Sequence, residues 1–173
     1  MDCLVSQNYY PHEKKWDDFV SGFENGHHHL HRFISSLSYG LNQEAFFITC
    51  EENGEIVGVL PMLGAKSFIF GDQLTSLPHF NYGGALTKSE KAKEALYHKA
   101  LDVARENGYK KILLRDSESL PGFAEKLGWG EQTHKVNMCY ELPSDIKKIG
   151  VGNAKKKAKL RSQARLAKRK ADE

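Results

Sequence analysis

The chain has 173 residues, of which 40% are hydrophobic and 27% charged, a length and balance that suit one soluble domain with a sizeable core. No window approaches the roughly 18 consecutive apolar residues of a membrane span, and the start, MDCLVSQNYYPHEKKW, lacks the basic-then-apolar layout of a secretory signal, so the default expectation is a cytoplasmic protein. The net charge of +3 hides an asymmetry: residues 1–149 carry 16 Lys and Arg against 20 Asp and Glu, whereas residues 150–173 carry nine basic and two acidic residues.

Trp16 to Phe23 places apolar residues at 16, 19, 20 and 23, which predicts a short helix stopped by Gly26. A second helix is predicted over 28–39, with Leu30, Phe33, Ile34 and Leu37 on one face and Gly40 as its end. Residues 45–52 and 55–65 read as two strands around Asn53-Gly54, the pair a two-residue type I′ turn prefers because both positions need positive φ. KSFIFG, 66–71, is a third strand candidate, with QLTSLP continuing it. Thr87 and Glu90 form a capping box. The stripe Ala92, Ala95, Leu96, Ala100, Val103 and Ala104 behind it predicts the most secure helix of the chain, closed by Asn107-Gly108. KKILLRD, 110–116, reads as a strand, PGFAEKLGW, 121–129, as a short helix, and THKVNMCYEL, 133–142, as a half-buried strand. This order, two helices, an antiparallel meander and a β-loop-α-β crossover, predicts an α/β architecture with a mixed sheet. The tail 153–173 sets Leu160, Ala164, Ala167 and Ala171 along one helical face and is basic almost everywhere else.

Several stretches carry chemistry. In TSLPHFNYGG, 75–84, Gly83 and Gly84 allow close backbone approach, Asn81 and Tyr82 offer side-chain hydrogen bonds, and a helix N-terminus follows with free N–H groups. The stretch is either a loop that cradles an anion or polar substrate, or a plain strand-to-helix turn. The Gln/Arg-x-x-Gly-x-Gly/Ala pattern of acetyl-CoA phosphate loops is absent. HHHLH, 27–31, has His27 and His31 four apart but no accompanying carboxylate motif, so no metal site is expected. Its four histidines make the segment sensitive to pH near 6.5. Arg115-Asp116 ends a strand beside the expected cleft, where Arg115 either binds a substrate carboxylate or phosphate or forms a structural ion pair. Cys3, Cys50 and Cys139 form no CxxC pair, which argues against a zinc knuckle or redox motif, and Cys50 and Cys139 read as small buried hydrophobes. The cationic ridge of the tail reads either as a surface for a polyanionic partner, nucleic acid included, or as a solvated helix.

The blocks FGDQLTSLPHFNYGGAL, LLRD, HKVNMCYELPSD and AKLRSQARLAKRK, in this order, resemble FemAB-like proteins of the GNAT-like acyltransferase superfamily, in particular the group found with exosortase (PEP-CTERM) and exopolysaccharide systems. HHLHRFISSLSYG and VGVLPM are similar to further parts of that group. The resemblance implies a GNAT-like mixed sheet flanked by helices over 1–149, the first of the two such domains found in the family, and over 150–173 a basic linker helix that in the family leads into the second domain, which is absent from this sequence. It implies transfer of an aminoacyl or acyl group onto an amine of a cell-envelope, peptidoglycan or polysaccharide precursor, by positioning and oxyanion stabilisation. Aminoacyl-tRNA or acyl-CoA is the implied donor, with no firm cofactor and no metal. A second GNAT-like domain or self-association supplies the implied partner. Matched onto this sequence, Ser76, Asn81, Tyr82, Gly83 and Gly84, together with His31, Tyr39, Arg115 and His134, are candidate substrate-binding residues. Lys159, Arg161 and Arg165 are candidates for anion or tRNA binding. No general base is assigned, and whether this chain catalyses by itself or serves as a substrate- or partner-binding half stays open.

Overall fold

Both faces of the central strands are apolar, so they must be covered on both sides. The computed structural model, which describes residues 2–69, 71–116, 122–130 and the five tail residues 162, 163, 166, 169 and 170, has that architecture. Strands β2 (Glu44–Glu52) and β3 (Glu55–Ala65) form the expected hairpin around Asn53 (φ 53°) and Gly54 (φ 80°). Side chains alternate across the pleat. Phe46, Ile48, Cys50, Leu60 and Met62 face one layer, and Ala45, Phe47, Val59 and Leu63 face the other.

The first layer is α3 (Glu90–Glu106), whose Ala92, Leu96, Ala100 and Val103 are buried against the sheet. The second is made by α1 (Glu13–Val20) and α2 (His31–Leu41), which contribute Trp16, Val20 and Ile34. In register, β1 (Asp2–Gln7) lies antiparallel to β2, β4 (Gln73–Thr75) is antiparallel to β3, and β6 (Lys111–Leu113) is parallel to β4. The two-residue β5 (Leu86–Thr87) pairs with Gly58 and Val59 at the other end of β3. Between Thr75 and Leu86 the chain therefore leaves the sheet and comes back to it. The helix α4 (Phe123–Leu127) follows, ended by Gly128 at φ 66° as its sequence predicts.

Several local expectations change. The described residues of the run 66–71 turn instead of forming a strand: Gly71 N–H donates to Ser67 O at 2.8 Å, and Phe68 and Ile69 are exposed. The predicted helix over 28–39 is two pieces, a 3-10 turn at Gly26–His29 and α2, separated where Leu30 adopts ψ 136°. Asn42, at φ 51°, ends α2 instead of Gly40. Ser89 caps α3 by accepting from Ala92 N–H, while Thr87 donates to Val57 O and accepts from Ser89 N–H, so the capping box does not form. Strand β1, absent from the expected order, sets Cys3 opposite Cys50; the sequence separation of the cysteines concealed that they are cross-strand neighbours.

The chain divides into two compact units, Met1–Gln132 and Thr133–Glu173. In the second, the described tail residues Ser162, Gln163, Leu166, Arg169 and Lys170 are helical and exposed. The predicted strand 133–142 lies outside the described residues.

Candidate functional site

The loop 76–84 leaves the sheet where β4 and β6 end, and the chain itself stitches that end together. Ser76 N–H donates to Leu113 O at 2.9 Å, and the Ser76 hydroxyl accepts from Arg115 N–H at 2.8 Å, so a side chain carries the ladder one step past β4. Gly83 N–H then donates to Arg115 O at 2.9 Å. The two glycines do permit close approach, and what approaches is the protein itself, both side chain and backbone. A Cβ on Gly83 would sit 2.5 Å from Leu77 Cβ, and one on Gly84 would sit 3.0 Å from Asp116 Cα. Between Ser76 and Gly83 the loop is strained. Leu77, fully buried, and His79 both have positive φ, 36° and 75°, on either side of Pro78, and such left-handed non-glycine residues cost about 1–3 kcal/mol each.

The histidine segment holds the loop from the other side. His29 is buried, and its Nε2–H donates to Gly84 O at 2.8 Å, so that nitrogen carries the proton of a neutral ring. Burial, partly opposed by this bond, lowers its pKa from 6.5 to about 4. The His29 carbonyl in turn accepts from Trp16 Nε1–H at 2.6 Å. Burial, then the neighbouring His27, also lowers the pKa of His28. The His28 ring lies against Phe80, with centroids 4.6 Å apart, and Phe33 meets Phe80 edge-on at 5.3 Å. His28, Phe33 and Phe80 thus form an aromatic wall along the loop.

Charge sits at the foot of the wall. Arg115 Nη1 donates to Phe80 O at 3.2 Å, and its Nε is buried without a partner among the described residues. Asp116, beside it, pairs with Lys93 on the first turn of α3 at 2.7 Å, and both side chains are largely buried. The Tyr97 hydroxyl, one turn further along α3, also donates to Asp116. Burial, then the Asp116 carboxylate, holds the Tyr97 phenol well above its ordinary range. With Asp116 matched by Lys93 and with His28 and His29 favouring their neutral forms, Arg115 leaves this corner net positive, which suits a carboxylate or phosphate. Tyr97 stays protonated at neutral pH and can donate but not abstract a proton.

Of the residues singled out from sequence, Ser76, Gly83, Gly84 and Arg115 come together here. Asn81 is exposed and Tyr82 half-buried on the same loop. His31 faces elsewhere: its ring stacks on Phe47 at 4.8 Å, and its Nδ1 is 3.6 Å from Glu13. Its backbone N–H is held by Asp17 at 2.7 Å. Tyr39 is exposed near the end of α2. His134, Lys159, Arg161 and Arg165 lie outside the described residues. Sequence reading missed His29, Phe80, Lys93 and Tyr97 as members of this site. The spacing of Lys93 and Tyr97, four apart on α3, marks them as one face of that helix. Nothing local marks His29, whose partner is 55 residues away.

No family model and no curated protein matches the sequence. Solved structures do. The chain aligns with ribosomal-protein-alanine N-acetyltransferase from Brucella melitensis biovar Abortus 2308 at 13% identity and TM-score 0.51, covering 82% of this chain and all of that one. It aligns with an aminoglycoside 6′-N-acetyltransferase from Acinetobacter haemolyticus at 11% identity and TM-score 0.50, covering 83% and 100%. A predicted acetyltransferase from Clostridium acetobutylicum, solved with acetyl-CoA, aligns at 11% identity and TM-score 0.50, covering 80% and 96%. At these identities the likeness defines the fold: a mixed sheet flanked by helices, of the GNAT N-acetyltransferase type. Among the described residues no helix is long and apolar enough to cross a membrane.

Proposed function

We propose that the chain is an N-acyltransferase domain that binds an anionic, amine-bearing acceptor at the corner formed by loop 76–84 and Arg115. One observation carries this reading: a strained loop, closed by an arginine and an aromatic wall, sits where β4 and β6 end, at the C-terminal end of the parallel pair that α3 connects. Ligands bind at that end of α/β sheets. Acyl-CoA as donor is supported by the acetyl-CoA held by a neighbour of the same fold. Aminoacyl-tRNA as donor, an envelope or polysaccharide precursor as acceptor, and a second GNAT-like domain reached through the basic segment 150–173 rest on the sequence resemblance alone.

The test is calorimetric titration of the full chain with acetyl-CoA, followed by a transfer assay on amine-bearing sugars and peptides. Saturable acetyl-CoA binding and product formation are expected, with product formation lost on Arg115→Met while the fold stays intact. A second reading, an acceptor-binding domain without transfer of its own, draws support from the stitching of Ser76 and Gly83 to Arg115, which leaves β4 and β6 bridged by protein, and from Asp116, an anion beside the start of α3. Acceptor binding without any acetyl-CoA binding would favour that reading. No binding of either would overturn both.

A further inference from the structure

The opposite end of the same strands presents another surface. The turn between β3 and β4 is closed by Gly71 N–H on Ser67 O and raises Phe68 and Ile69 into solvent, 107% and 81% exposed. Other exposed apolar residues gather at this sheet end. Tyr39 and Leu41 lead into β2, whose Glu44 is opposite Gly64. Exposed cations are also present: Lys66 precedes the turn, and the backbone N–H groups of Lys110 and Lys111 both donate to Asp72 O, at 3.0 and 3.2 Å, which fixes them at its base. Of the acids nearby, Glu44 accepts from the Tyr109 hydroxyl at 2.6 Å and lies 4.0 Å from Lys66; Asp72 is half-buried, and Glu106 is exposed at the end of α3.

We propose that this turn is a lipid-docking tip: Phe68 and Ile69 enter the acyl region of an anionic membrane surface, while Lys66, Lys110 and Lys111 meet its headgroups. Two observations select a bilayer over a second protein. A side chain exposed on all sides is covered by a medium that closes around it, whereas a flat protein face covers one side. Three exposed lysines at the same sheet end as an apolar point also match acyl chains beneath negatively charged headgroups. The inference does not depend on the acyl-transfer reading, because loop 76–84 lies at the other end of β4 and β6.

The test is co-sedimentation of the full chain with phosphatidylcholine vesicles, with and without phosphatidylglycerol. Binding to the anionic vesicles is expected. The basic segment 150–173 is attracted to them as well, so the deciding measurement is made in about 1 M salt, where charges are screened beyond ~3 Å. There the Phe68→Ser/Ile69→Ser double variant should bind about tenfold more weakly than the unmodified chain. At low salt, Lys110→Ser/Lys111→Ser should weaken binding by about tenfold. Tryptophan emission of a Phe68→Trp variant should shift to the blue on adding vesicles, beyond any change in the unmodified chain. The proposal is overturned by absence of vesicle binding, by equal binding of the tip variant in high salt, or by no extra emission shift. A dimer that the tip substitutions dissolve, with no vesicle binding, would assign the tip to a second copy and overturn it too.

Discussion

At their C-terminal ends β4 and β6 run into a loop tied down by hydrogen bonds, buried glycines and an ion pair; at their N-terminal ends they run into a turn that holds two large apolar side chains in water. The same three-residue strands serve both. The first end is closed because its polar groups are tied to distant parts of the chain: Ser76 with Arg115, Gly84 with His29, Lys93 with Asp116. The second is open because its turn closes on itself and leaves Phe68 and Ile69 exposed. Substitutions should therefore have large effects on stability at one end and negligible effects at the other.

The largest effect is expected for Lys93→Met, which leaves the Asp116 carboxylate largely buried without its cation and should cost about 3 kcal/mol in urea unfolding. A loss below about 1 kcal/mol would mean that water reaches the pair and that the end is not closed. Acid should have a comparable effect through His29. Its pKa falls from 6.5 to about 4 on folding, so between those values the unfolded chain holds a proton that the folded chain lacks. Stability contributed by the neutral ring is present above pH 6.5 and is lost as the pH falls toward 4, by about 3 kcal/mol. Melting curves across that range should be flatter for His29→Asn; equal slopes in the two proteins would remove His29 as the cause. Gly83→Ala, which forces a methyl against Leu77, should cost about 2 kcal/mol, and a neutral result would show that the loop yields. The smallest change belongs to the tip: Phe68→Ser/Ile69→Ser should leave stability within about 0.5 kcal/mol. A larger loss would show that the turn packs on the domain in solution.

What the sequence made legible follows from how local the cause is. Asn53-Gly54 defines its own hairpin, and α3 carries a stripe long enough to read without its partners. KSFIFG was misread as a strand because an apolar run reveals nothing of whether anything covers it, and the Gly71–Ser67 closure is invisible in composition. Strand β1 escaped notice because six residues with a half-buried alternation look like an N-terminal tail until β2 pairs with them. At the candidate site, the reading of Gly83 and Gly84 as points of close approach was right about the backbone, but the partner, Asp116 and Leu77, comes from tertiary packing. His29 was noted only as one of four histidines, since its role depends on a carbonyl 55 residues away. His31 and Tyr39 match a motif, and the described contacts of His31 are with Tyr9, Phe47, Glu13 and Asp17.

The parallel pairing of β4 and β6 has a consequence for the order of assembly. The β2–β3 hairpin closes through two residues and forms on a microsecond scale. The β4–β6 pair must wait for the whole of α3, and the His29–Gly84 bond for a longer span still. Contacts of that sequence separation form late, after the loop-closure entropy has been met by others. We expect loop 76–84 to be the last part of this domain to settle and the first to open. Native-state hydrogen exchange should then release the amides of Gly83 and Arg115 well before those of Phe46 to Cys50. Equal protection would mean that the loop is built with the sheet and not upon it.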